Sequence, residues 1–180
     1  MQPPAYYAGG YFCSMKELLK QLAAYTIWAN QQITDVILSI PEEKHTANVP
    51  GSFPSLYKTA LHMWDAESIW WQRIVSAEKI VVPSAGFTGT MADVVNGMML
   101  QSQQWLAWLN EISEESLNET FHYKSLKGDP FSQPLKEIAL HISNHNTYHR
   151  GQLVNMLRQL DVSGIPQTDF VHWARKMKTI

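Results

Sequence analysis

Apolar residues recur at intervals of three and four along four long stretches of the chain, and this spacing predicts four amphipathic α-helices. Residues suited to N-caps or first helical turns precede three of these stretches. The first predicted helix is 15–38, and the second follows Ser52 or Ser55 and reaches 76. The third is 91–112, with Thr90 as its N-cap. The fourth reaches 160, with Ser132 as its N-cap and Pro134 in its first turn.

The segments between these helices are polar or rich in proline and glycine, which is typical of loops. We expect 42–54 to be such a loop. The helical period is also lost at 117–132, where the pattern predicts a short hairpin or extended loop, and 168–176 has room for one more short helix. The simplest architecture is therefore all-α: a four-helix bundle with a hairpin or extended loop before the last long helix and a small C-terminal helix.

The sequence predicts one domain that is preceded by an N-terminal arm. Residues 1–14 contain proline, glycine and tyrosine without a helical period and predict an irregular N-terminal arm, whereas 15–180 form a single helical domain. The first residues lack the basic and apolar regions of a secretory signal. No stretch approaches the roughly 18–20 apolar residues of a membrane helix, so we expect a cytoplasmic protein without membrane contact.

Composition narrows the function classes. Hydrophobic residues make up 45% of the 180 residues and charged residues 17%, which excludes intrinsic disorder. A formal net charge of −2 argues against a nucleic-acid partner, which requires a basic surface. Cys13 is the single cysteine, so neither an internal disulfide nor a cysteine-based zinc site is possible. Seven histidines and seven tryptophans remain as the unusual part of the composition.

Three histidines follow one another at intervals of four in the fourth predicted helix: His141, His145 and His149. Residues four apart share a helix face about 6 Å apart along the axis, so two neighbouring imidazoles can bind one metal ion. His141 and His149 are separated by about 12 Å of helix rise, too far to share one ion. The ligand pair is therefore either His141 with His145 or His145 with His149.

A third ligand has to come from another helix, and His62 is the best candidate because it lies among large apolar residues in the second predicted helix. Three histidine ligands leave a fourth position open, as in catalytic zinc centres. The competing interpretation is that these histidines are structural. The tryptophans are expected in the core, and at most a subset lines a cleft above the metal. Those on predicted helices are Trp28, Trp64, Trp70, Trp71, Trp105 and Trp108. The other histidines lie in predicted loops or the tail: His45, His122 and His172.

Several motifs in this order resemble the DinB-like (DinB/YfiT) superfamily of proposed metalloenzymes. The most specific is the run Asn-His-Asn-Thr-Tyr-His-Arg-Gly-Gln at 144–152. Weaker matches are Trp-Ala-Asn at 28–30, His62 followed by Glu67, and Pro-Gln-Thr-Asp-Phe at 166–170. The resemblance covers nearly the whole chain from Met15 onward.

The resemblance implies a four-helix bundle, often dimeric, that holds one divalent metal such as zinc or nickel. By motif position the ligands are His62, His145 and His149, with His141 as the additional histidine. Relatives include transferases that use low-molecular-weight thiols such as bacillithiol or mycothiol, and a mycothiol-dependent isomerase. We therefore expect a homodimeric, metal-dependent enzyme that transfers such a thiol onto a small electrophile.

Two alternatives remain open: a hydrolase that uses metal-bound water, and a non-catalytic, metal-stabilised binding or stress-response protein. No catalytic acid or base is assigned. Asp65 has a better helical angle toward the metal than Glu67, but a solvated charge is its simpler interpretation. Arg150 is expected either to anchor an anionic substrate or pair with a carboxylate, or to lie on the surface and stabilise a helix–helix contact. The neighbours of the ligands, Asn144 and Tyr148, are candidates for orienting them.

Overall fold

The computed structural model describes residues 14–177, so the predicted arm at 1–14 lies almost entirely outside the described residues. Six helices and a two-stranded sheet follow one another along this part of the chain. They are α1 (Met15–Ser39), α2 (Glu42–Thr46), α3 (Leu56–Ile74), α4 (Met91–Glu111), β1 (Thr120–Lys124), β2 (Pro130–Pro134), α5 (Leu135–Gln159) and α6 (Phe170–Met177), with a 3₁₀ turn at Ser116–Asn118 before β1. The predicted, largely α-helical fold is confirmed.

Side-chain caps define where three of the long helices begin. Ser14 Oγ accepts a hydrogen bond from the Glu17 amide at the start of α1. Ser55, rather than Ser52, caps α3 by accepting from the Lys58 amide. Thr90 and Asp93 form a reciprocal capping box at α4, in which two otherwise unpaired backbone amides are satisfied.

Two sequence-based assignments are wrong. Ser132 does not cap α5, because it lies in β2, where its hydroxyl contacts His122 Nδ1 at 2.7 Å. Pro134 is the N-cap residue instead and makes no side-chain capping bond. The expected loop at 42–54 contains the short helix α2, in which His45 is buried and donates from Nε2 to the Ile37 carbonyl across 2.7 Å.

The expected hairpin before the last long helix is present. Strands β1 and β2 pair antiparallel, with Phe121 opposite Gln133 and Tyr123 opposite Phe131. The rings of Tyr123 and Phe131 stack at 5.8 Å between centroids. The hairpin therefore presents an aromatic surface just before α5 begins.

The largest apolar core cluster contains buried side chains from α1, α3, α4 and α5. Helix α1 packs against α4 and α5, and α3 packs against the same two helices. Fully buried side chains at the centre include Ile33, Ile37, Leu56, Met63, Met98 and Leu157. Burial of each such side chain contributes on the order of 1.5–3 kcal/mol, which explains why the apolar periodicity was informative. The predicted small C-terminal helix is α6, whose Trp173 packs on Tyr25 of α1.

None of the helices within residues 14–177 combines the length and the apolar character needed to cross a membrane.

Candidate metal centre

The imidazoles of His62, His145 and His149 meet between α3 and α5. Nε2 of His145 lies 3.3 Å from Nε2 of His62 and 3.1 Å from Nε2 of His149. One nitrogen from each of the three rings lies within 4.8 Å of the other two. Within residues 14–177 this is the one group of three or more histidine, cysteine or carboxylate side chains close enough to share an ion.

Antiparallel packing of α3 and α5 produces this convergence. His62 contacts His145 and His149, whereas Trp70, eight residues later on α3, contacts His141, which precedes them on α5. Residue numbers thus rise along one helix as they fall along the other. His145 and His149 are one turn apart on α5, and the stagger between the helices places His62 level with this pair.

The spacing of the three nitrogens fits a single bound ion. Ligand nitrogens at 2.0–2.1 Å from a tetrahedral zinc ion lie about 3.3–3.4 Å from one another. The two measured separations, 3.1 and 3.3 Å, are close to this value. The cluster is therefore compatible with a metal site.

Two residues that sequence reasoning missed hold the rings in place. Gln152 accepts a 2.8 Å hydrogen bond from Nδ1 of His149, which leaves the lone pair of Nε2 facing the cluster. Phe53, in the segment between α2 and α3, stacks on His62 at 4.3 Å between centroids. Gln152 belongs to the quoted motif and lies three residues after His149, the helical spacing that signals such a contact. Phe53 had no comparable signal.

Burial keeps the three imidazoles in the neutral form that metal ligation requires. It lowers the pKa of His145 to about 3, with smaller contributions from the charges of His149, His62 and His141. The pKa of His62 is lowered by burial and by His149, while Asp65 acts in the opposite direction. Burial also lowers the pKa of His149, although the bond to Gln152 raises it. Each ring therefore offers a lone pair at neutral pH.

His141 does not join the cluster. Its ring lies 5.7 Å from that of His145 and makes an edge contact with Trp70 at 5.6 Å. His122 and His172 are exposed on β1 and α6. Asn144 is exposed, and Tyr148 is 61% exposed and makes an edge contact with the His149 ring. Among the hydrogen bonds of residues 14–177, neither side chain bonds to a cluster imidazole.

Asp65 and Glu67 both have partners outside the cluster. Asp65 is half-buried and accepts a hydrogen bond from the Ser84 amide across 2.8 Å. Glu67 is fully buried, and burial raises its pKa to about 7 although bonds to Ser102 and Asn146 lower it. Neither carboxylate belongs to the metal-sharing group found among the described residues.

Arg150 is part of a buried hydrogen-bond chain. The expected surface position is therefore wrong, whereas the helix–helix contact is present, because Arg150 joins α5 to α1. It is 2% exposed and donates to Asn30 Oδ1 at 3.0 Å and to Tyr25 OH at 2.9 Å. Asn30 Nδ2 donates to Asn146 Oδ1 at 2.8 Å, and Asn146 Nδ2 donates to Glu67 Oε1 at 2.7 Å. This hydrogen-bond chain links the Arg150 guanidinium to the Glu67 carboxyl group through the side-chain amides of Asn30 and Asn146.

The tryptophans divide between core and cleft. Trp105 is buried, with its indole N–H donating to the Glu67 carbonyl. Trp64 packs edge-on against Phe87. Trp70 lies half-buried beside His141, at the edge of a cavity next to the cluster.

A mostly helical fold with three histidines close enough to share an ion defines a class of small helical proteins with a compatible metal site. The chain belongs to the DinB family, whose model matches residues 15–177. It is similar to Protein DinB of Bacillus subtilis (strain 168), with 24% identity over 165 residues that cover 87% of this chain and 93% of that protein.

Proposed function

We propose that the protein binds one divalent metal ion, zinc or nickel, through Nε2 of His62, His145 and His149, and transfers a low-molecular-weight thiol onto a small electrophile. The observation that carries the metal assignment is the approach of three Nε2 atoms on two antiparallel helices. His62 and His145 are half-buried, so a further ligand can reach this site from solvent.

The chain's own residues supply the binding and orientation that this chemistry needs. Gln152 fixes the ring of His149, and Phe53 covers the ring of His62. When bound, a dication supplies positive charge that lowers the pKa of a thiol held beside it. In the transfer, sulfur forms a bond to the electrophilic carbon, the leaving group departs with the electrons of the broken bond, and the thiol proton passes to solvent.

Transfer of a thiol is favoured over hydrolysis by the positions of the nearby carboxylates. Asp65 is engaged by the Ser84 amide, and Glu67 is enclosed in the core with Ser102 and Asn146. A hydrolase gains from a general base within reach of its water, whereas a thiol with a lowered pKa is itself the nucleophile. The resemblance to thiol-using relatives supports the same choice.

Further features of the proposal follow from the contacts and from the resemblance. We infer that α1, α3, α4 and α5 form the predicted four-helix bundle, supported by the packing of α1 and α3 against both α4 and α5. A small-molecule substrate, a homodimer and a cytoplasmic location stay predictions.

Metal analysis of the purified protein and of matched alanine variants tests the first part. We expect about one ion per chain in the native protein and at least a tenfold loss of affinity in His62→Ala, His145→Ala and His149→Ala. His141→Ala is the matched control, because His141 lies on the same helix outside the cluster, and it should keep the ion. Equal metal content in all five proteins would overturn the site.

Conjugation assays with the metal-loaded protein test the second part. A panel of thiols that includes bacillithiol, mycothiol, glutathione and cysteine is combined with alkylating electrophiles, and thioether formation is followed by mass spectrometry. Turnover that is lost in His145→Ala supports the transferase. A protein that holds its ion, unfolds at lower temperature after chelation and conjugates no thiol is instead a metal-stabilised binding protein.

A further inference from the structure

A cavity of about 280 Å³ lies beside the three-histidine cluster, between α3, α5 and the β1–β2 hairpin. Small-molecule pockets typically enclose about 300–1,000 Å³, so this cavity suits a ligand of one or two rings. Its lining residues are Trp70, Tyr123, Gln133, Glu137, Ile138 and His141.

His141 connects the cavity to the cluster. It lines the cavity, and its ring lies 5.7 Å from that of His145. Because His141 precedes His145 by one turn of α5, the cavity and the cluster are neighbours along this helix. A ligand bound there can present a reactive atom toward the proposed metal position.

Two aromatic rings form the main wall. Trp70 and Tyr123 pack edge to face at 4.8 Å between centroids. The guanidinium of Arg73 lies over both, at 4.5 Å from the Trp70 ring and 5.3 Å from the Tyr123 ring. Phe121 and Phe131 stack on the Tyr123 ring from the hairpin. These contacts fix the rings in position, and rigid aromatic walls favour planar ligands.

Charges of opposite sign flank this wall. Glu137 is exposed at the edge of the cavity. Arg73 is half-buried against the rings, and its Nε has no hydrogen-bond partner within the described part of the chain. The two charges oppose each other, so neither an anionic nor a cationic ligand is favoured on balance, and a charged ligand still loses its hydration on binding. A neutral ligand avoids this cost. Gln133 Oε1 accepts a hydrogen bond from the Tyr123 hydroxyl. The N–H groups of the Gln133 amide are therefore left for other acceptors.

We propose that this cavity binds an uncharged, planar aromatic group with a hydrogen-bond acceptor. This assignment rests on the proposed function, for which it names the class of electrophile. Within that function Trp70 and Tyr123 are specificity-determining residues, because their rings select planar groups beside the cluster. Gln133 provides the hydrogen-bond donor.

The test measures binding of small probes and requires no turnover. Benzamide and cyclohexanecarboxamide carry the same amide on a planar and on a saturated ring. Each is titrated into the metal-free and the metal-loaded protein while the indole N–H signals are followed by NMR, with the Trp70 signal assigned from its loss in Trp70→Leu. We expect benzamide to shift the Trp70 signal with a Kd of about 1 mM, as is typical for so small a ligand. Cyclohexanecarboxamide should bind at least about threefold more weakly.

Variants separate the cavity from a general loss of structure. Because Trp70→Leu and Trp70→Phe lack the Trp70 indole signal, binding to the variants is followed from the NMR signals of the benzamide protons. Trp70→Leu and Tyr123→Leu should each weaken benzamide binding about three- to tenfold, and Trp70→Phe should restore most of it. Trp28→Leu is the matched control, since Trp28 is a half-buried tryptophan that packs on α1 and α6 instead, and it should bind benzamide as the native protein does. Benzoate and benzylamine, which add a charge of either sign, should both bind more weakly than benzamide.

Equal binding of the planar and saturated probes, or binding that Trp70→Leu and Tyr123→Leu leave unchanged, would overturn the proposal. Preference for benzoate or benzylamine would overturn its uncharged character. Failure of the proposed function has a different signature: the protein takes up no metal or conjugates no thiol, while benzamide still shifts the Trp70 signal of the metal-free protein.

Discussion

The side-chain amide of Asn146 donates a 2.7 Å hydrogen bond to the buried carboxyl group of Glu67. This bond joins α5 to α3, the two helices that carry the three histidines. Ser102 Oγ lies 2.9 Å from both oxygens of the same carboxyl group. Because one hydroxyl proton cannot serve both oxygens well, a protonated Glu67 can donate to Ser102 through one oxygen while it accepts from Asn146 at the other.

Glu67 should make folding stability depend on pH. Burial raises its pKa to about 7, above the ordinary value of 4.5, so folding takes up a proton between these two pH values. The contribution of Glu67 to the free energy of unfolding is fully present below pH 4.5 and declines as the pH rises through 7. The total decline is about 3 kcal/mol.

Glu67→Gln tests this dependence because glutamine keeps the shape but does not titrate. Chemical denaturation at a series of pH values should show a decline from pH 5 to pH 8 that is about 2.5 kcal/mol smaller in the variant than in the native protein. Glu137→Gln, which removes an exposed carboxylate on α5, should leave the native pH profile in place. Parallel profiles for the native protein and Glu67→Gln would show that Glu67 is ionised in the core.

Arg150 should be important for stability. Arg150→Met keeps much of the apolar volume but removes the donors to Asn30, Tyr25 and Thr147. Leaving buried acceptors without partners should cost about 3 kcal/mol in the free energy of unfolding. Arg158→Met changes an exposed arginine at the end of the same helix and should cost less than about 1 kcal/mol. Equal losses would contradict the role of the buried chain.

Gln152 should affect metal affinity without contacting the ion. Gln152→Leu removes the acceptor for Nδ1 of His149, and loss of such a partner typically lowers affinity about 10–100-fold. Gln152→Glu keeps an acceptor and should keep most of the affinity. The Gln152 side-chain amide also donates a hydrogen bond to the Ser52 hydroxyl. Ser52→Ala controls for the loss of that contact and should bind metal normally. Competition titrations with a chelating dye provide the measurement.

Replacing two helical glycines by alanine should change the stability of the fold in opposite directions. A Cβ at Gly97 would lie 2.4 Å from Cζ2 of Trp64, whereas one at Gly151 would meet nothing within 4 Å. Gly97→Ala should therefore destabilise the fold by about 1–2 kcal/mol through overpacking. Gly151→Ala should stabilise it by about 0.5–1 kcal/mol, because alanine loses less backbone entropy in a helix. Thermal and urea denaturation compare the two, and a stabilised Gly97→Ala would contradict the close packing on Trp64.

Local sequence features predicted the elements well because they depend on neighbours along the chain. The apolar period located the four long helices to within about two residues, and the loss of that period before residue 132 located the hairpin. Ser132 was wrongly predicted to cap a helix, because it pairs with His122 in the hairpin. The segment 42–54 was wrongly predicted to be only a loop, because the five-residue helix in it is too short to show a period.

The sequence by itself determined that His141, His145 and His149 share one face of a helix, and that only neighbouring pairs of them can meet a common ion. It did not determine the pair, which came from family resemblance. Only the tertiary structure decided that His145 and His149 face His62, that Gln152 and Phe53 hold the rings, and that Arg150 reaches Glu67 through two asparagines. The physical reason is that helical period is a local property, whereas the stagger between α3 and α5 follows from how side chains distant in sequence pack together.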